Sequence, residues 1–201
     1  MKIGIFGGTF DPPHIGHVGI CKFFIEKYNF DRVFVIPVYC PPHKCMHSDA
    51  SAEDRMSMSR LAFENLSNKV VVSDIEIKRQ GKSYTADTIR QLKEDGYDDI
   101  YFLCGTDMIL TMDRWYNPKY IFENATIVYA RREDDPEISA NIDDKVSEYK
   151  SKYGARVEFL DANVLEVSST EIRNSVAFGD YGFLSNEVAE YVKEHRLYVE
   201  G

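Results

Sequence analysis

Several things are scarce in this chain, and each shortage removes a class of function. Its 201 residues hold four cysteines, at positions 21, 40, 45 and 104. Their irregular spacing argues against a disulfide framework and for reduced thiols in a cytoplasmic protein. No apolar run approaches the roughly 20 residues that cross a bilayer. Met1-Lys2 leads into a core-type strand instead of a secretory leader, so neither a membrane span nor a signal segment is expected. Positive charge is in deficit, 24 Lys and Arg against 33 Asp and Glu, for a net charge of −9. A nucleic-acid binder needs a basic face to meet backbone phosphates, so nucleic acid is not an expected partner, and any anion must be held by a local cluster. No Gly/Ser-rich or Pro-rich linker divides the chain. With 44% hydrophobic residues it can bury one sizeable core, which predicts a single domain over residues 1–201. A homo-oligomer is compatible with this composition.

What is present alternates. Apolar β-type runs recur at Ile3–Phe6, Val33–Val38, Val70–Ile77, Ile100–Leu103, Thr126–Ala130 and Val157–Leu160. Helix-like stretches fall at Ile15–Tyr28, Ala52–Asn65, Thr85–Glu94, Asp107–Met112, Pro118–Asn124, Asp143–Tyr153, Ser169–Val176 and Asn186–His195. Apolar strands alternating with helices predict an α/β fold, a doubly wound, Rossmann-like parallel sheet with helices on both faces. Ligands of such sheets lie at the carboxyl edge of the strands, where strand order reverses. Four chemically loaded segments follow strands: Gly7 to His17, Pro41-Pro42-His43-Lys44, Gly105-Thr106-Asp107 and Arg131-Arg132. The acidic stretch Glu133 to Asp144, poor in large apolar residues, reads as a surface loop.

The first of these segments, Gly7-Gly8-Thr9-Phe10-Asp11-Pro12-Pro13-His14-Ile15-Gly16-His17, reads as a phosphate site. It is not the G-x-G-x-x-G dinucleotide fingerprint, and glycines alone would indicate only a tight turn. The histidines decide it. Three residues apart at a helix start, they share one face with Gly16 open between them, beside unpaired N–H groups that already attract negative charge. A cap or a core would gain nothing evident from both. Near the other end, Ser168-Ser169-Thr170-Glu171-Ile172-Arg173 fits a capping box at Ser168 and Glu171. It also places two hydroxyls in the first turn and a guanidinium one turn later, a second anion-binding helix start. Cys40, His43, Cys45 and His47 lie within eight residues but lack the spacing of metal knuckles, so no protein metal site is expected. Asp11, followed by two prolines, reads as a turn residue more than as a magnesium ligand. Arg55, on the Ala52–Asn65 helix, reads as a solvated or salt-bridged face residue.

Together these motifs resemble the nucleotidylyltransferase superfamily, with its T/H-x-G-H and I-S-S-T-x-x-R/K signatures. Pro41-Pro42-His43-Lys44, Ser83-Tyr84-Thr85 with Asp87-Thr88, Gly105-Thr106-Asp107-Met108 and Trp115-Tyr116 make the chain most similar to bacterial nicotinate-nucleotide adenylyltransferases, from about Lys2 to Tyr198. The chain departs from that pattern at Glu133-Asp134-Asp135, where many members have Arg-Pro-Gly after the strand.

The resemblance implies transfer of AMP from ATP to nicotinate mononucleotide, with pyrophosphate leaving and Mg2+ carried with ATP. It implies that His14, His17, Lys44 and Arg173 are the catalytic, phosphate-handling groups. Gly7, Gly8, Thr9, Phe10, Gly16, Gly105, Asp107, Ser169 and Thr170 would bind ATP, while Thr85, Trp115 and Tyr116 would hold the nicotinate nucleotide. Trp115 suits an electron-poor ring by stacking, although a lone Trp is also a common core residue and Asp107 also suits a helix cap. Alternatives are another acceptor, nicotinamide mononucleotide or pantetheine phosphate, or a non-catalytic nucleotide sensor, which would not need intact groups for pyrophosphate. A class I aminoacyl-tRNA synthetase is disfavoured by the absence of a Lys-Met-Ser-Lys-Ser loop and of a basic surface.

Overall fold

The computed structural model describes residues 1–42, 49–130, 136–162 and 167–199. The elements follow in chain order as β1 (Lys2–Gly8), α1 (Ile15–Tyr28), β2 (Arg32–Pro37), α2 (Ala52–Phe63), β3 (Val70–Val72), α3 (Ile75–Arg79) and α4 (Thr85–Glu94). Then come β4 (Asp99–Gly105), α5 (Thr106–Thr111), α6 (Pro118–Asn124), β5 (Thr126–Ala130), α7 (Pro136–Tyr153), β6 (Arg156–Leu160), α8 (Ser169–Ala177) and α9 (Asn186–Glu194). The strands form one sheet in the order β3-β2-β1-β4-β5-β6, and every pairing is parallel. This is the expected doubly wound α/β fold. The chain winds outward from β1 to β3, returns to β4 and winds out the other way, so the switch point lies between β1 and β4.

Register places the strand ends in line. Gly8 pairs with Pro37, Phe6 with Leu103 and Gly105 with Ala130. The segments that follow β1, β2 and β4 therefore open on one edge. Alternation along β1 feeds two cores, with Ile3 and Ile5 on one face and Phe6 on the other. A third apolar cluster joins Met58 of α2 to Ile172 of α8 and Val188 of α9, which seats α8 beside the strand edge.

Two expectations are corrected. The run Val70–Ile77 is not one strand: β3 stops at Val72, and Ile75 begins α3. Ile-x-Ile spacing satisfies a strand or a helical turn equally, and here Asp74 turns the chain at φ −89°, ψ 15°. Lys78 N then donates to Asp74 O, and the two side chains pair at 3.1 Å. The stretch Glu133 to Asp144 is not a loop from residue 136 onward, because α7 begins there and runs through Tyr153. A sparse stripe explains it: Ile142 and Tyr149 are fully buried, and Ile138, Val146 and Tyr153 pack against the same core at helical spacing. Residues 133–135 lie outside the described residues. No helix among the described residues is long and apolar enough to cross a membrane.

Candidate active site

The helix start that carries the histidine pair forms where its sequence suggests. His14 is the N-cap of α1, with extended backbone at φ −143° and ψ 172°, and its side chain does not cap the helix. The helix does not need the imidazole for its own termination. Ile15 N donates to Phe183 O, and Val18 N closes the first turn onto His14 O. The His14 and His17 rings lie 3.7 Å apart, tilted by 33°, so the two imidazoles do share one face, with Gly16 buried in the same turn. Phe10, in a left-handed conformation at φ 50°, is 1% exposed and lays its ring against His17, Phe6 and Phe63. Its side chain belongs to the core, leaving only its backbone for a ligand. Gly8 is required by that ring: a Cβ there would meet it at 2.9 Å.

The second helix start meets the first. Ser168 accepts from Glu171 N, and the Glu171 carboxylate accepts in return from Ser168 N at 2.8 Å, the capping box expected. Arg173 then reaches across. One of its nitrogens donates to Asp11 O at 2.8 Å and lies 3.7 Å from the Asp11 carboxylate, and the other donates to Thr170 Oγ1 at 3.2 Å. Ser169 Oγ donates to Pro12 O at 3.3 Å. Arg173 and Ser169 thus sit on the Asp11-Pro12 turn, 162 residues away in sequence for the first contact, while Thr170 reaches it only through Arg173.

Between the ends of β1, β2 and β4 lies a cavity of about 530 Å3, within the usual range for small-molecule sites, whose described lining includes neither the histidine pair of α1 nor Ser169, Thr170 and Arg173 of α8. Gly7, Gly8 and Thr9 line it together with Thr85, Trp115 and Tyr116. Asp107 also faces this cavity, so the structure groups it with the three aromatic-pocket candidates. Gly105 is the N-cap of the short helix that carries Asp107. The Trp115 ring stands edge-on to Phe102 at 6.3 Å, and the Tyr84 and Tyr116 rings pack at 4.6 Å. His43, Lys44, Cys45 and His47, and the arginine pair 131–132, lie outside the described residues. Among the described residues no cluster of three or more His, Cys, Asp or Glu is placed to hold a metal.

Arg55 corrects the sequence reading. It is 1% exposed, not a solvated face residue, and its guanidinium donates to Thr9 O at 2.9 Å, Val38 O at 2.6 Å and Tyr39 O at 3.2 Å. It therefore pins the segment after β1 to the segment after β2. Its sequence signal was its place in the buried stripe of α2 with Met58, Ser59 and Phe63. Burial presses its pKa below the ordinary arginine value, against the opposing pull of Asp11. Asp11 takes the turn role: buried, it accepts from Tyr198 Oη at 2.7 Å. Burial, with the Asp11 charge beside it, pushes the Tyr198 hydroxyl far above its normal pKa and keeps it a donor. Nothing in the sequence near Tyr198 marked it.

A central parallel sheet with a histidine pair at its first helix start and a seryl-threonyl-arginine turn opposite defines a nucleotidyl-transferring class of protein. A family profile described as cytidylyltransferase-like matches residues 5–175. Two relatives named "Probable nicotinate-nucleotide adenylyltransferase" come from Listeria welshimeri, 35% identical over 98% of this chain and 97% of its own length, and from Exiguobacterium sibiricum, 37% identical over 98% and 99%. The chain belongs to this cytidylyltransferase-like family, in its nicotinate-nucleotide adenylyltransferase branch. A structure titled Plasmodium falciparum nicotinic acid mononucleotide adenylyltransferase complexed with NaAD shares the fold, with a TM-score of 0.75 at 18% identity over 98% of this chain and 97% of that one.

Proposed function

We propose that the chain transfers AMP from ATP to nicotinate mononucleotide, forming nicotinate adenine dinucleotide and pyrophosphate for NAD biosynthesis. The observation that supports this reading is the joining of the α1 and α8 helix starts, through Arg173 to Asp11 and Ser169 to Pro12, on the same stretch whose Gly8 and Thr9 line the cavity walled by Trp115 and Tyr116. A polyphosphate and a flat ring need that combination. The names of the relatives point to the same acceptor.

The chemistry needs no protein nucleophile. A phosphate monoester has a second pKa of about 6 and is largely a dianion at neutral pH. Its oxygen attacks the α-phosphorus of ATP, one P–O bond forms, the bond to the β-phosphate oxygen breaks, and the electron pair leaves on pyrophosphate. The protein must bring two anions together in line and offset charge on the transferred and leaving groups. His14 and His17 meet the ATP phosphates at the α1 N-terminus, and Lys44 takes the outgoing pyrophosphate. Ser169, Thr170 and Arg173 grip the triphosphate from α8, with backbone at Gly7, Gly8, Thr9, Phe10 and Gly16 lining the path. Gly105 and Asp107 meet adenosine. Thr85 opens α4 with a backbone N–H outside the helix ladder, and with Trp115 and Tyr116 it receives the nicotinate ring.

Mg2+ arrives with ATP as part of the substrate and offsets its phosphate charge. The Asp11 carboxylate, already taken up by Tyr198 and Arg173, fits a turn anchor better than a metal ligand. The test is pyrophosphate release from MgATP with nicotinate or nicotinamide mononucleotide as acceptor, beside a His17→Ala variant. Turnover with the nicotinate form that falls by about 100-fold or more in the variant is expected, on the scale of losing one preorganised charge-stabilising group. Turnover confined to another acceptor, or to none, would overturn the assignment.

A further inference from the structure

The acceptor cavity contains a carboxyl that the function above leaves unused. Glu76, on α3, lines the cavity and is 6% exposed. Its Oε1 accepts from Thr88 Oγ1 at 2.5 Å, and the same hydroxyl lies 3.4 Å from Tyr84 O. Behind them Arg79 donates to Thr88 Oγ1 at 2.9 Å and to Gln91 Oε1 at 3.3 Å, and lies 3.8 Å from the Glu76 carboxylate. The other carboxyl oxygen, Oε2, is buried without a hydrogen-bond partner among the described residues, while the Ser83 hydroxyl accepts from Tyr39 N at 2.9 Å. Ser83 N also donates to Cys40 O at 2.9 Å.

Burial raises the Glu76 carboxyl above its ordinary pKa, while Thr88, Ser83 and Arg79 pull the other way. For stability alone such a group is a poor choice, since an apolar side chain of similar volume avoids the desolvation cost. Its partners give it a different use. Thr88 lies one turn into α4, and its backbone N–H donates to Tyr84 O, so one carboxyl is tied to the Tyr84-Thr85 start of α4 at the cavity wall.

We infer that Glu76 is a positioning residue for the acceptor: through Thr88 it fixes the Tyr84-Thr85 turn against the ring of the mononucleotide, an inference that rests on the acceptor reading above. The carboxyl does not touch the reacting phosphates, so its loss acts on acceptor affinity and spares the ATP side.

Steady-state kinetics of the full chain test this, with Glu76→Ala, Glu76→Gln, Thr88→Val and Thr88→Ser alongside the unmodified protein. Glu76→Ala and Thr88→Val should each raise KM for nicotinate mononucleotide about tenfold, a change of ~1.4 kcal/mol, while KM for ATP and kcat stay within about twofold. Glu76→Gln keeps an acceptor for the Thr88 hydroxyl, Thr88→Ser keeps the donor, and both should recover most of the lost affinity. Parallel rises in both KM values, or no difference between Ala and Gln at position 76, would overturn the inference. If Glu76→Ala does not fold, the Thr88 pair decides alone. An unmodified chain that turns over neither mononucleotide overturns the acceptor reading and this inference with it. Normal turnover with a flat acceptor KM across the series overturns this inference only.

Discussion

A guanidinium with 1% exposure needs partners for its donors, and the two terminal nitrogens of Arg55 find them in carbonyls of two loops that face the cavity, while Nε stays buried without one among the described residues. Removing it orphans Thr9 O, Val38 O and Tyr39 O at once. Arg55→Met should therefore cost about 3 kcal/mol or more in denaturant unfolding. Arg55→Lys should recover little, because one ammonium cannot reproduce a planar fork bonded to three acceptors. A lysine variant as stable as the parent would show that the three contacts contribute no net stability. At this scale the sequence was legible where chemistry is local. The histidine spacing, the Ser168-Glu171 box and the glycines of the first turn each follow from one short stretch. Arg55, Tyr198 and Glu76 were illegible as site residues because their partners are 16, 187 and 12 residues away at their key contacts. Only Arg55 carries a local hint, its place in the stripe of α2 with Met58, Ser59 and Phe63; for Tyr198 and Glu76 no local pattern tells a buried polar group from an exposed one.

The elements that carry the aromatic wall of the cavity are held from outside the sheet. Tyr149 of α7 donates to Ile109 O at 2.8 Å and its hydroxyl lies 3.2 Å from the Asp113 carboxylate, and Lys145 pairs with Asp113 at 3.0 Å. The helix thereby clamps α5 and the turn leading into Trp115. Burial opposes charge on Asp113, but Lys145 and Tyr149 outweigh it and hold its carboxyl below the usual range. A carboxyl lowered by folding contributes stability above its unfolded pKa, near 4, and loses it as pH falls through the folded value. Asp113→Asn should cost about 1 kcal/mol at pH 7, the scale of a well-formed, partly exposed pair. Urea titrations from pH 7 to 3 should show that difference shrinking toward the acid end. A difference that grows on acidification would reverse the assignment. The same helix marks the limit of pattern reading. The patterns over Ile15–Tyr28, Thr85–Glu94 and Pro118–Asn124 coincide with helices residue for residue, because turn residues bound them: left-handed Asn29, Gly96 at φ 90°, and Pro118 after left-handed Asn117. The start of α7 was missed because its buried stripe is one apolar residue per turn in an acidic background.

Across the whole molecule, one hydrogen bond ties the last described turn to the first loop. Tyr198 Oη donates to Asp11 Oδ1 at 2.7 Å, inside a group that also holds Arg173 and the field of Arg55. A doubly wound sheet builds its site from loops far apart in the chain, so something must set the distance between the α1 and α8 helix starts. The sheet register fixes the first, through Gly8 and Pro37. The cluster that joins α2, α8 and α9 fixes the second. Asp11 is where the two supports meet. Tyr198→Phe keeps the ring and its packing but removes the donor to a carboxylate, a loss worth about 1.5–3 kcal/mol. It should lower the urea midpoint without changing the slope. If Asp11 also positions Arg173 for the triphosphate, KM for ATP should rise in the same variant while KM for the mononucleotide stays near its original value. That is the opposite split from the one expected at Glu76, so the two variants measured together test whether the ATP side and the acceptor side of this site are held by separate networks. A Tyr198→Phe protein that loses stability with both KM values unchanged would reduce the C-terminal contact to a clasp for the fold alone.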